Sequence, residues 1–178
     1  HDIAGLQLTP LMGGVLITSI LSGNIISRTG RYRRFPIAGT ALMTVAMLLL
    51  TRLGVTTSGW VASLYMFVLG LGLGMVMQVL VLATQNAVSY EQLGVATSGA
   101  TLFRSIGGSI GTAVLGSIFT NRLDDLLAGG SPRIPAFTDA LDLVFFVGAC
   151  VIACAWVLTW TLEERPLRQT VATAGMHE

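Results

Sequence analysis

Between Leu6 and Leu162 the chain alternates five apolar runs with short polar punctuation. The runs extend over Leu6 to Ser27, Phe35 to Thr51, Trp60 to Val88, Val95 to Thr120 and Leu143 to Leu162. Each is continuous, without the every-second-residue alternation of a barrel strand. A helix crosses the hydrocarbon layer of a bilayer with about 20 apolar residues and satisfies its own backbone N–H and C=O groups on the way. The pattern predicts an all-α, polytopic transmembrane helical bundle of five spans. The second run is short, and Arg34 and Arg52 at its ends can extend their guanidinium groups to the two surfaces. The segment Asn121 to Asp142, "NRLDDLLAGGSPRIPAFTDALD", reads as an aqueous loop from its Gly, Pro and acidic residues, and 169–178 as a polar cytoplasmic tail.

Composition agrees with a lipid solvent: 53% of residues are hydrophobic, 11% are charged, and the mean hydropathy is +0.75. A net charge of +1 says little, but every basic residue is Arg, and the placement of those arginines is informative. "SGNIISRTGRYRRFPIAG", Ser22 to Gly39, holds four of them and no acid. Short positive loops stay in the cytoplasm, so the chain is expected in the cell membrane, starting outside and ending inside. On that topology six loop and tail arginines lie inside against Arg52, Arg122 and Arg133 outside, with Arg104 left in the membrane. Trp60, Tyr90 and Trp160 fall where interfacial aromatics belong. The arginines form no continuous basic face, which argues against nucleic acid as a partner. Cys150 and Cys154, at i and i+4 in one apolar run, read as packing residues. No His, Cys or acid cluster has metal-ligand spacing and no Ser/His/Asp set can be assembled, so neither an enzyme, a metal nor a cofactor is expected. The start at His1, with no Met and no signal peptide, reads as an excerpt from a longer chain.

Gly23, Arg28, Gly30, Arg31 and Arg33 are spaced in a way that resembles the cytoplasmic loop motif Gly-x-x-x-Asp-Arg-x-Gly-Arg-Arg of the major facilitator superfamily. Ser27 stands at the motif's acid and Tyr32 at a position often basic. The resemblance extends through "AGLQLTPLMGG", "LGLGLGMVMQ", "QNAV", "GVATSGATLFRSIGGSIGTAVLGSIF" and "EERPLR", in that order. Together these look like the C-terminal half of a drug:proton antiporter of the DHA2 kind, the fourteen-helix branch that includes EmrB and QacA. The resemblance implies five spans of a C-terminal six-helix half, with the first, third and fourth bordering a central cavity and the second and fifth against lipid. It further implies export of small amphipathic or drug-like molecules by alternating access, coupled to protons. The partners would be the lipid bilayer, a small-molecule substrate, protons and the missing N-terminal half. A truncated, non-transporting membrane module, or a transporter of a metabolite or siderophore, is the alternative.

Polar groups at membrane depth face protein or water. Gln78, Gln85 and Asn86 in the third run, and Arg104 in the fourth, are thus candidates for the wall of the cavity. At about 1.5 Å per residue, Gln78 and Arg104 both lie roughly 10 Å above the inner ends of their helices. The expectation is a polar cluster of Arg104 with Gln78, Gln85 or Asn86, the bland reading being a snorkelling arginine and amides that merely join helices. Met75, Met77 and Phe103 could supply an adaptable apolar wall. Small residues recur at helical spacing in Gly70 and Gly74, in Gly107 and Gly111, and in the stripe Gly108, Thr112, Gly116, Thr120, which predicts close helix packing. No acid lies in any of the five runs, so a titrating carboxylate would have to come from elsewhere in a longer chain.

Overall fold

The computed structural model describes residues 3–29, 32–54 and 57–161. They form five helices, α1 (Ile3–Thr29), α2 (Arg34–Leu50), α3 (Gly59–Asn86), α4 (Leu93–Ala128) and α5 (Arg133–Thr159), with a single 3-10 turn over Tyr90–Gln92. No strand occurs among the described residues, and the molecule is an all-α bundle of a multi-pass membrane protein. Four of the helices are long and apolar enough to cross a bilayer. The fifth, α2, has 17 residues, about 26 Å of helix, which falls slightly short of the hydrocarbon thickness. Gly30, Arg31 and the tail from Leu162 onward lie outside the described residues.

The first three helices begin and end within three residues of their apolar runs. The last two do not. Most of the expected aqueous loop is helical, because α4 continues to Ala128 and α5 starts at Arg133. Leu123, Leu126 and Leu127 repeat at i, i+3 and i+4 and are half-buried, while Asp124 and Asp125 are exposed, so the extension of α4 is amphipathic. The true turn spans 129–132. Gly130 takes a φ of +81°, Ser131 N–H donates to the Leu126 carbonyl at 3.0 Å and Gly130 N–H to that of Leu127 at 3.1 Å. This is a Schellman stop, which favours Gly at that position. Pro132 and Pro135 then open α5 where a helix has no use for their missing N–H groups. Phe119 meets Phe137 edge to face at 5.2 Å and pins the two helices beside the turn.

Glycine brings α3 against two neighbours at once. Gly70 and Gly74 share one side of α3, and a Cβ on either would collide with α1, at the Leu11 carbonyl and at Thr18. Gly14 returns the contact, since its Cβ would stand 2.6 Å from the Phe67 carbonyl oxygen. Gly72, two residues and so about 200° round the helix, meets α2 instead. Its Cβ would lie 2.7 Å from the Gly39 carbonyl oxygen, and that of Gly39 2.9 Å from the oxygen of Gly72. Without a hydrophobic force between helices in lipid, such backbone-to-backbone packing is what holds them together. The buried Thr40 of α2 donates its hydroxyl to the Pro36 carbonyl at 2.6 Å, and Thr44 to that of Thr40 at 2.8 Å, so each polar group is satisfied within its own helix.

At one end of the bundle Ile26, Tyr32 and Val79 form a buried core, flanked by Phe35, Leu82 and Ala83. Tyr32, only 4% exposed, is a packing residue joining α1 to α3. A charged side chain there would lose this contact. α4 stands apart: none of its residues is buried, and a Cβ at Gly107, Gly108, Gly111 or Gly116 would meet nothing within 4 Å. The expected packing role of these four glycines therefore has no partner within the described residues.

Candidate functional site

Arg104 is the single charge between Leu93 and Asn121. It lies eleven residues, about 16 Å, into α4. Its Nη1 donates to the Met77 sulfur of α3 at 3.2 Å. The two residues close one end of a groove of about 350 Å³ between the helices. Met77, Leu80, Val81 and Thr84 line it from α3, facing Thr97, Ala100, Thr101 and Arg104 from α4. Each set has the spacing i, i+3, i+4, i+7, so each helix contributes one continuous stripe.

A thioether is a weak acceptor and a guanidinium carries five N–H donors, so most of the donor capacity of Arg104 is not used by Met77. The Thr84 hydroxyl donates to the Leu80 carbonyl at 2.7 Å and that of Thr101 to the Thr97 carbonyl at 2.9 Å. Their protons are committed to the helix, and their oxygens remain acceptors. The groove thus combines an apolar wall, hydroxyl oxygens and one cationic fork. This arrangement can orient an oxygen-bearing group of an amphipathic molecule. It contains no nucleophile and no acid, and no group of three His, Cys, Asp or Glu among the described residues could hold a metal.

The amides are placed differently from the expected cluster. Gln78 is half-buried and turned to α1, where a Cβ on Gly23 would stand 3.4 Å from its Nε2. Gln85 is exposed, Asn86 is half-buried at the last position of α3, and neither lines the groove. Met77 precedes Gln78 by one residue, about 100° of rotation, and it is the Met77 side that looks at α4. Phe103 is 76% exposed and also lies off the groove, while Met75 lines a different one, between α1 and α2. The threonines were missed as site residues, although their match to the spacing of Arg104 was there to find.

An uncharacterized MFS-type transporter of Mycobacterium tuberculosis is 40% identical over 92% of this chain, which corresponds to 28% of the relative. The chain is homologous to transporters of the major facilitator superfamily. The multidrug transporter MdtP of Bacillus subtilis is 42% identical over 78% of the chain and 25% of its own length. A tetracycline resistance determinant of Streptomyces rimosus is 37% identical over 70% of the chain and 37% of its own length. The chain thus spans between a quarter and two fifths of these relatives. No protein-family model and no solved structure matches it.

The residues that resemble the major facilitator loop motif divide by their contacts. Arg33 Nη2 donates to the Trp160 carbonyl at the C-terminal end of α5, 2.7 Å away. There a cation meets the unsatisfied carbonyls and the negative end of the helix dipole. Trp160 in turn packs edge to face on Trp156 at 5.9 Å. The bond sets the α1–α2 connection and the end of α5 at the same end of the bundle. Arg28 and Arg34 are exposed.

Proposed function

We propose that the chain forms the C-terminal helical bundle of an efflux transporter that exports small amphipathic, drug-like molecules across the cell membrane. The α3–α4 groove borders the central cavity, and transport proceeds by alternating access driven by protons. The arginine-rich α1–α2 connection faces the cytoplasm. The observation that carries the reading is the groove itself, with a cation whose donors are mostly unused set among apolar and hydroxyl-bearing residues at membrane depth. The resistance and multidrug names of two relatives point to the same substrate class. Gln78, Gln85 and Asn86 extend the polar part of the cavity wall towards its inner end. The described acids are Glu91 in the α3–α4 connection, Asp124 and Asp125 near the end of α4, and Asp139 and Asp142 within the first ten residues of α5, and in this reading the proton-carrying carboxylate comes from helices outside these residues.

The test is export of tetracycline and of a lipophilic fluorescent dye by cells carrying the full-length protein. Arg104→Leu at matched membrane expression is expected to slow export tenfold or more. Wild-type rates would remove Arg104 and its groove from the mechanism. Collapsing the proton gradient with a protonophore is expected to stop export, and persistent export would end the proton-coupled reading.

A further inference from the structure

A second groove, of about 610 Å³, opens where α1 ends and α2 begins. Ile25, Phe35, Ala38 and Met75 make its floor and walls, and Thr29 and Arg34 stand at its polar end. The arginines of this corner have separate fates. Arg33 is held by the α5 carbonyl. Arg28 and Arg34 are exposed, and neither has a hydrogen-bond or ion-pair partner among the described residues. Four of the five described acids, Asp124, Asp125, Asp139 and Asp142, lie at the opposite end of the bundle, and the fifth, Glu91, is in the α3–α4 connection. The Thr29 hydroxyl donates to the Ile25 carbonyl at 2.7 Å, which leaves its oxygen as an acceptor only.

We infer that this groove is a seat for an anionic phospholipid, with an acyl chain along Ile25, Phe35, Ala38 and Met75 and the phosphate on Arg34 and Arg28. Charge complementarity and shape both select that occupant. The site is cationic at the level of the headgroups and apolar below it, and none of the described acids lies beside its guanidinium groups. The N-terminal end of α2 adds the positive end of a helix dipole beside the phosphate position. A water-soluble phosphate compound would use the arginines and leave the apolar part empty. A zwitterionic lipid would use the apolar part and bring its own cation to a site already rich in positive charge.

The experiment uses the full-length protein, purified in mild detergent, and reads lipid retention by native mass spectrometry after exposure to phosphatidylglycerol or phosphatidylcholine. Phosphatidylglycerol is expected to be retained over phosphatidylcholine, and glycerophosphate added in excess is expected not to displace it. Each arginine near a charged lipid surface contributes such that Arg34→Ala should weaken retention about fivefold, and Arg34→Ala with Arg28→Ala about 25-fold. Arg52→Ala, at the other end of α2, is the control and should change nothing. Ala38→Trp fills the apolar part and should reduce retention with the thermal midpoint unchanged. The inference fails if the two lipids bind alike, if glycerophosphate displaces the lipid, or if the Arg34 and Arg52 variants behave alike. It fails too if Ala38→Trp lowers the thermal midpoint without affecting lipid, since another protein segment would then fill the groove.

Discussion

Glycine-rich helices α3 and α4 look alike in sequence and behave differently in the structure. On α3, Gly70 and Gly74 are pressed by the backbone of α1, and Gly72 by that of α2. On α4, a Cβ at Gly107, Gly108, Gly111 or Gly116 meets nothing within 4 Å among the described residues. The stripe is the same; the partner is not. Small residues stabilise a membrane helix pair only where a second backbone comes close enough to use the space. The α1–α2–α3 block is therefore self-sufficient in a way that α4 is not.

The sharpest way to break this comparison is to put the same side chain on both helices of the full-length protein. Gly70→Leu drives a branched side chain into the Leu11 carbonyl, and should cost about 3 kcal/mol or more, seen as loss of folded protein after detergent extraction. Gly108→Leu should stay within about 0.5 kcal/mol of the parent, as surface replacements do. Equal losses would show that a segment beyond the described residues grips α4 as tightly as α1 grips α3. A smaller effect is expected at the end of the block. Arg33→Ala removes the bond to the Trp160 carbonyl and should lower stability by about 1 kcal/mol, with faster hydrogen exchange in the last turn of α5. An unchanged exchange rate would mean that α5 is held without it. The smallest effect is expected from matched threonines. Thr40 donates to Pro36 on α2 and Thr112 to Gly108 on α4, at 2.6 and 2.8 Å. Replacing either by Val removes a bond within one helix and should shift stability by about 0.5 kcal/mol or less. A larger loss at Thr112 would reveal a polar partner that the open face meets beyond the described residues.

Sequence made the first three helices readable because their ends coincide with the ends of their apolar runs. For α4 and α5 that coincidence fails. Hydropathy reports which solvent surrounds a segment, and a helix that continues beyond the membrane changes solvent without changing backbone. Leu123, Leu126 and Leu127 carried the helical spacing, but Asp124, Asp125 and the following glycines outweighed it. Arg104 was legible as an intramembrane cation, whereas its partner was not. Periodicity says which residues share a face; the direction of that face is set by tertiary packing, and packing turns Gln78 to α1 and Met77 to α4. The Gly39–Gly72 contact was likewise hidden, because Gly39 is the one glycine of α2 and Gly72, on the other side of α3 from Gly70 and Gly74, belongs to no i, i+4 pair.

The two-sided grip on α3 also limits what that helix can do by itself. With a carbonyl of α1 behind Gly70 and one of α2 behind Gly72, α3 cannot spin about its axis any more than a key can turn across its keyway. Displacement of Met77 relative to Arg104 must then involve three helices travelling as one plate, or α4 swinging on the aromatic hinge of Phe119 and Phe137.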